Sequence, residues 1–469
     1  VRLGFLVPLT RLVSSTVAVA VALISLGAGF GFGTTGETAA SQASAGRGPM
    51  NVILVVTDDQ PYELLKTMPY VASQGNWVEF TNAYYNYPLC CPSRATILSG
   101  LYSHHTRVER NRQADNFKER RNLPTWFDRA GYQTGLYGKY FNSYPWDQGN
   151  RYVPPHWDKW FAFIGAARYY NETINANGRL LRIGDDPKDH AMGLLNDRAV
   201  RFVGKAKKPF FLYYAPPAPH SPYTPEPKYR GRYSDSPVEL PPNFNEADIS
   251  DKPSWVHDLR ARDDDGYAAM ITKRWRRQQE MLLSVDEAMR RFDRKLVRRG
   301  IYDDTIVVFM SDNGLSPGSH RFGGKVCPYE ECLHAPLLIR YPESIPQTVD
   351  ALVSNVDIAP TLTDIAGVDL PTPIDGRSLR PLMEKERSNL GRDILLRQAT
   401  SANRTLWGIR TERYKYIEYS ETGEAELYDL RRDPHELENV AGSPAHAAVQ
   451  EDLSARLAQM IEAQPEYVD

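Results

Sequence analysis

Cysteine is scarce. Four of the 469 residues are Cys, at positions 90, 91, 327 and 332, too few for a disulfide framework. None stands at a Cys/His spacing that would hold zinc. Neither sign of charge is in excess: 56 Lys and Arg face 58 Asp and Glu, for a formal net charge of −2. The overall charge therefore gives no electrostatic case for nucleic acid as a partner. Long charge runs and internal repeats are missing. Past residue 45 no run is apolar enough to span a bilayer.

The apolar run that does exist is N-terminal. Arg2 and Arg11 give a basic start, and Val17 to Ile24 opens an apolar stretch that fades into Gly27 to Gly33. Small polar residues follow, with Ala43-Ser44-Ala45 as an Ala-x-Ala site. This pattern reads as a secretory signal peptide over residues 1–45, cut before Gly46, and so as a secreted chain with no stable membrane insertion afterwards. An uncleaved anchor is the alternative.

The body of the chain alternates apolar strand patterns with helical ones, an α/β arrangement. Asn51 to Thr57 is a mostly apolar run of the kind buried on both faces of a parallel sheet, and it ends in Asp58-Asp59. Asp304 to Met310 is another, ending in Ser311-Asp312-Asn313-Gly314. In α/β folds, ligands gather at such strand ends, although a solvated turn also favours paired Asp. Three carboxylates and an amide oxygen make a hard, all-oxygen donor set that suits Ca²⁺ or Mg²⁺. Tyr132 to Tyr137 is a short strand leading to Lys139, and Pro209 to Tyr214 is one leading to His220. His220 is held among prolines, which fixes it rigidly, for chemistry or simply as a turn.

Residues 225–265 are polar and Pro-rich and read as a surface excursion, and residues 270–299 form the longest helix. From about residue 388 short strands joined by turns take over, followed by an amphipathic helix over residues 446–463. This organisation divides the mature chain into a large unit, 46–387, and a C-terminal unit, 388–469.

One stretch organises the rest: Leu89-Cys90-Cys91-Pro92-Ser93-Arg94-Ala95-Thr96-Ile97-Leu98-Ser99-Gly100. A helix beginning at Pro92 would set Cys90 just before a helix N-terminus, which favours negative charge. Arg94 would lie one turn along. Structural cysteines, or a thiol nucleophile of lowered pKa, are the plainer readings.

Cys-x-Pro-Ser-Arg followed by Leu-Ser-Gly resembles the sulfatase signature, in which the first cysteine is oxidised to formylglycine before the chain folds. The order Asp58-Asp59, Cys90 to Arg94, Gly138-Lys139, His220, Asp312-Asn313, Lys325 and Asp429 to Pro434 resembles that family throughout residues 51–440. Gly138 to Asn142, Tyr169 to Gly178 and Asp251-Lys252-Pro253-Ser254-Trp255 resemble its N-acetylglucosamine-6-sulfatase and heparan 6-O-sulfatase branch.

The resemblance implies an alkaline-phosphatase-like fold, a large mixed sheet sandwiched by helices with a small C-terminal antiparallel sheet and terminal helix. It implies one divalent cation, usually Ca²⁺, held by Asp58, Asp59, Asp312, Asn313 and the formylglycine made from Cys90. Arg94, Lys139, His220 and Lys325 would line a sulfate pocket, with Asn142 and His320 as further substrate contacts. The implied partners are a sulfated carbohydrate, expected to be 6-O-sulfated N-acetylglucosamine, and a formylglycine-generating enzyme that acts before folding. A phosphate or phosphonate monoester hydrolase using the same aldehyde, and a non-catalytic Ca²⁺-dependent glycan-binding protein, are the alternatives.

Overall fold

The computed structural model describes residues 48–463 apart from 208, 263, 371–372 and 400–403. The signal-peptide reading lies outside the described residues. Ten strands form the large sheet. In chain order they are β1 (Asn51–Thr57), β2 (Val78–Phe80), β3 (Gln133–Gly138), β4 (Lys159–Phe163), β5 (Thr173–Ala176), β6 (Arg179–Arg182), β7 (Phe210–Ala215), β8 (Thr305–Ser311), β9 (Leu337–Arg340) and β10 (Gln347–Val349). Their order across the sheet is β10-β2-β9-β8-β1-β7-β3-β4-β5-β6. The five central strands, β8-β1-β7-β3-β4, run parallel, while β9 on one side and β5 and β6 on the other run antiparallel to their neighbours.

The apolar runs are explained by burial on both sides. Val52, Leu54 and Val56 of β1 pack into one core, and Ile53 and Val55 pack into the other. Each such side chain contributes about 1.5–3 kcal/mol when fully buried, so an uninterrupted apolar run is what a central strand requires. Two helices, α2 (Ala191–Lys205) and α3 (Asp264–Arg298), cover the second core. Helix α1 (Cys90–Ser99) lies in the first. It is buried along its whole length and ends at Gly100, whose φ of 71° is the left-handed stop that glycine adopts without strain.

A second, four-stranded antiparallel sheet follows: β11 (Ile394–Ala399), β12 (Thr405–Arg410), β13 (Tyr414–Tyr419) and β14 (Ala425–Asp429), in that order, with α4 (Ala447–Glu462) after it. The stretch 225–265 is a surface excursion over residues 227–242, which are exposed or half-buried, but it is anchored beyond them. Trp255 is buried and donates from Nε1 to the Tyr419 hydroxyl at 2.9 Å, and Lys252 is buried with its ammonium on Asp251 and on the Leu437 carbonyl. The Asp251-to-Trp255 motif thus ties the large sheet's loops to the second sheet. Among the described residues no helix is long and apolar enough to cross a membrane.

Candidate active site

The site is built by register. β1 and β8 pair in parallel with Thr57 opposite Ser311, so the next residues of each, Asp58 and Asp312, leave the sheet side by side. The Asp312 N–H donates to the Thr57 carbonyl at 3.0 Å, and the Asp59 N–H donates to Asp312 Oδ1 at 3.0 Å. Asp59 has φ of 60°, a conformation Asp tolerates better than most residues. On the other flank, β7 ends beside β3, and the Lys139 N–H donates to the Ala215 carbonyl at 2.7 Å. The turn that follows β7 carries His220 and is strapped down by Tyr169, whose hydroxyl lies 2.9 Å from the Pro217 carbonyl and 2.8 Å from that of His220.

The side chains converge. One carboxylate oxygen from each of Asp58, Asp59 and Asp312 lies within 4.8 Å of the others, and all three residues are buried. Arg94 Nε donates to Asp312 Oδ2 at 2.9 Å, and Lys139 Nζ donates to Asp58 Oδ2 at 2.5 Å. Lys325 Nζ donates to Asp59 Oδ1 at 2.6 Å and lies 2.7 Å from Cys90 Sγ. Cys90 Sγ is 3.6 Å from Asp58 Oδ1, and His220 Nε2 is 3.6 Å from Asp59 Oδ2. The side chains of Lys325 and His220 are 16% and 27% exposed, whereas Arg94, Asp312 and Cys90 are fully enclosed, so the cluster opens to solvent on the Lys325 and His220 side.

Electrostatics follow from that enclosure. Burial alone would raise the Asp58 pKa, but Lys139, His220 and Arg94 outweigh it and hold the carboxyl well below its usual range. Asp312 is pushed up by burial and by the Asp58 charge, with Arg94 opposing. Burial also pushes the Cys90 thiol up, against the pull of Lys139 and Lys325, so the unmodified side chain is held as a neutral thiol and not as a thiolate nucleophile.

The donor set fits a hard divalent cation. Asn313 Nδ2 donates to Asp59 Oδ1 at 2.7 Å, while Asn313 Oδ1 is buried with no hydrogen-bond partner. A buried amide oxygen left unpaired beside three carboxylates is what an oxygen-ligated ion would satisfy. Three carboxylates against Arg94, Lys139 and Lys325 leave the cluster electrically neutral, so a divalent cation would turn it positive toward an anionic ester.

Two of the expected contacts sit differently. His320 is not brought to this cluster. It is enclosed elsewhere, with Nδ1 on Glu246 Oε2 at 2.5 Å and Nε2 facing Asn243 at 3.1 Å, and burial lowers its pKa to about 3. Asn142 contacts the neighbouring cysteine, its N–H donating to Cys91 Sγ at 3.2 Å. The helix starts at Cys90, two residues before Pro92, with the Ser93 N–H on the Leu89 carbonyl at 2.9 Å. Cys327 and Cys332 form a disulfide, and Cys91 is free. Tyr213 is an addition: its hydroxyl lies 3.3 Å from Arg94 Nη1. Its signal in the sequence was its place two residues before the end of β7.

The sulfatase family model matches residues 50–368. The chain belongs to the sulfatase family. A second model, N-sulphoglucosamine sulphohydrolase C-terminal, matches residues 318–463. The extracellular sulfatase SULF-1 homolog of Drosophila melanogaster is 34% identical over 71% of this sulfatase and 31% of the fly protein. Human N-acetylglucosamine-6-sulfatase is 33% identical over 74% of the chain and 66% of its own length. N-acetylglucosamine-6-O-sulfatase of Bacteroides thetaiotaomicron is 29% identical, over 89% and 87%. The chain therefore spans between about a third and two thirds of the fly and human relatives. A solved structure of a protein in complex with its substrate D-glucosamine-2-N,6-O-disulfate superposes with TM-score 0.76 at 26% identity, covering 88% of this chain and 97% of that one. The phosphonate monoester hydrolase of Agrobacterium radiobacter shares the fold, with TM-score 0.72 at 23% identity over 88% and 95%. The alkaline-phosphatase-like architecture expected from the sequence is thus the observed one.

Proposed function

We propose that this sulfatase is a secreted hydrolase of sulfate esters on sugars, with 6-O-sulfated N-acetylglucosamine as the substrate class. The observation that carries the reading is the enclosure of Cys90 between Asp58 and Lys325, within a charge-balanced acidic cluster that opens on the Lys325 and His220 side. The names of the human and bacterial relatives and the substrate of the solved neighbour support the sugar.

Cys90 is proposed to be converted to formylglycine, whose hydrated form supplies a geminal diol, one hydroxyl to attack sulfur and one to let sulfate leave. Cys90, Pro92 and Arg94 are buried in the fold, which supports a modifying enzyme that reads them before the chain folds. Asp58, Asp59, Asp312 and Asn313 would hold a divalent cation, Ca²⁺ by its oxygen donors, which would draw charge from the sulfate oxygens.

The remaining work falls to side chains already in place. Lys139 and Lys325 have raised pKa values: burial would lower both, and Asp58 and Asp59 respectively overcome it. They stay charged and face the position of the ester oxygens. Arg94 fixes Asp312. The His220 Nδ1 lies 2.6 Å from the Ser221 carbonyl, so that nitrogen carries a hydrogen, and Nε2 faces the cluster, 3.6 Å from Asp59 Oδ2. From the doubly protonated ring, Nε2 would give its proton to the departing sugar oxygen and leave the neutral ring with its Nδ1 hydrogen. The Cys327–Cys332 disulfide supports an oxidising, extracytoplasmic location.

Two measurements test the proposal. The mass of the Cys90 peptide should show formylglycine. Parallel kinetics on aryl sulfate, aryl phosphate and a panel of sulfated sugars should give the highest kcat/KM for 6-O-sulfated glucosamine. A preference for phosphate would move the assignment to the monoester hydrolases, and binding without turnover by unmodified protein would make it a glycan-binding protein.

A further inference from the structure

At the far end of the large sheet from the cluster, the C-terminal parts of two helices are rich in exposed Arg and Lys. α2 leads into β7 and α3 leads toward β8, so their C-terminal ends lie at the edge of the sheet where those strands begin. His220 and Asp312 follow the other ends of the same strands. A strand of six or seven residues spans roughly 20 Å.

The helices run side by side in the same direction. Arg291 Nη2 meets Asp197 Oδ1 at 2.6 Å, a Cβ at Gly204 would lie 3.5 Å from Lys295 Cδ, and Arg299 Nη2 donates to the Ala206 carbonyl at 2.7 Å. On α2, Arg198, Arg201 and Lys205 are exposed at spacings of three and four, one row along the helix. On α3, Arg290, Arg294 and Arg298 are exposed at spacings of four, a second row. Arg291, Lys295 and Arg299 lie half-buried on α3, on the side that meets α2. Neighbouring rows on packed helices sit about 8–10 Å apart, with a step of about 6 Å along each.

The carboxylates of these segments are engaged elsewhere. Asp197 takes Arg291, Asp293 takes Arg340, Glu287 takes Lys228 and Tyr229, and Asp286 accepts the N–H groups of Tyr70 and Val71. Among the described residues Arg201, Lys205, Arg294 and Arg298 have no carboxylate within ion-pair distance. Like charges at a spacing of four destabilise a helix. This concentration stands in a chain whose net charge is −2. The helix C-terminal dipoles account for Lys205, Lys295 and Arg298 in the last turns, and not for Arg198, Arg201, Arg290 and Arg294 before them.

We infer that the paired rows of α2 and α3 form a docking track for a linear sulfated polysaccharide, separate from the catalytic cluster. The length and regular spacing of the rows match a repeating polyanion, whose bound counterions would be released on docking. A lipid surface is the poorer match, because Val297, at 62% exposure, is the lone large apolar side chain exposed along the track. The choice of a sulfated polymer rests on the function proposed above. The track would hold a long chain while one of its residues is processed, so it serves polymers and not monosaccharides.

The full-length protein on immobilised heparin tests this. Arg201→Glu/Arg294→Glu/Arg298→Glu should elute at clearly lower salt than the parent and bind heparin at least tenfold more weakly at fixed salt. Its hydrolysis of an aryl sulfate should stay within twofold. Arg201→Gln/Arg294→Gln, a milder change, should shift elution in the same direction. Unchanged elution of both variants overturns the track. So does retention of the parent by phosphatidylglycerol vesicles with none by heparin. Charge-dependent retention by a parent that hydrolyses no sulfate ester would overturn the proposed function and leave the track standing.

Discussion

Asp312 binds the Arg94 guanidinium and sits within 4.8 Å of two further carboxylates. Asp312→Ala removes a proposed cation ligand and also leaves Arg94 enclosed without its hydrogen-bonded counter-charge, a loss of about 3–5 kcal/mol for a buried pair. Calorimetric Ca²⁺ titration should show affinity reduced at least tenfold, with kcat falling alongside it. If the variant keeps full activity after exhaustive chelation, the metal assignment is wrong. His220 makes a different prediction. If Nε2 protonates the leaving oxygen, His220→Ala should cost about 10²–10⁴ in kcat on a sugar sulfate and far less on an aryl sulfate, whose phenolate leaves unaided. Equal losses on both would assign His220 to sulfate binding instead. At this scale the sequence was most legible where a residue follows directly from a strand end, as Asp58, Lys139 and Asp312 do, because register alone delivers them. Asn142 and His320 were less legible. Their side chains are directed by long-range partners, Cys91 Sγ at 3.5 Å from Asn142 Oδ1 for one and Glu246 with Asn243 for the other, and no local pattern encodes those.

Among the elements, the end of β3 is the tightest. Gly138 has φ of 126°, and a Cβ there would lie 1.9 Å from the Ala215 carbonyl oxygen. Since β3 and β7 are paired through that point, Gly138→Ala must part the two strands and carry Lys139 with them. A loss above about 3 kcal/mol is expected from strain and clash together, read as a lowered midpoint in urea, with kcat falling more than KM rises. The long apolar strands and α3 were readable because burial on both faces, or a sustained helical period, marks them. β4 was not, although it is buried and paired on both sides, and neither were the outer strands β5, β6 and β10. They are short, partly exposed and defined by pairing with a neighbour, although β5 and β6 meet at Asn177-Gly178, a dipeptide that favours a hairpin turn and is itself readable in the sequence. β11 is hard to delimit in the sequence for a related reason: it forms the edge of the second sheet and pairs on one side, with β12.

For the molecule as a whole, the junction between the two sheets sets the response to pH. Glu436 is fully enclosed, its carboxyl raised to about 8 by burial, with Lys415 opposing and the Glu330 charge adding to the rise, and Glu246 is raised to about 7 by burial. A carboxyl raised in the folded state holds a proton that the unfolded chain has already lost. Their share of the stability should therefore fall as pH rises from about 4.5 toward 8, against the buried His104, His190 and His320, whose lowered pKa values make their own share rise over the lower part of that window. The thermal midpoint of the parent relative to that of Glu436→Gln should decline across the window by the equivalent of roughly 1 kcal/mol or more. A parent whose midpoint gains on that of Glu436→Gln over the window would show Glu436 to be ionised throughout. The closed core around Cys90 has its own consequence at this scale. If Cys90 is modified as proposed, its burial closes it to the modifying enzyme once the chain has collapsed, so each molecule's fate is decided once, by a race between modification and folding. A preparation is then a blend of competent and permanently silent molecules, in a ratio set by how fast the host works and how slowly the chain closes. Slowing translation or lowering growth temperature should raise specific activity without altering a single atom of the competent form.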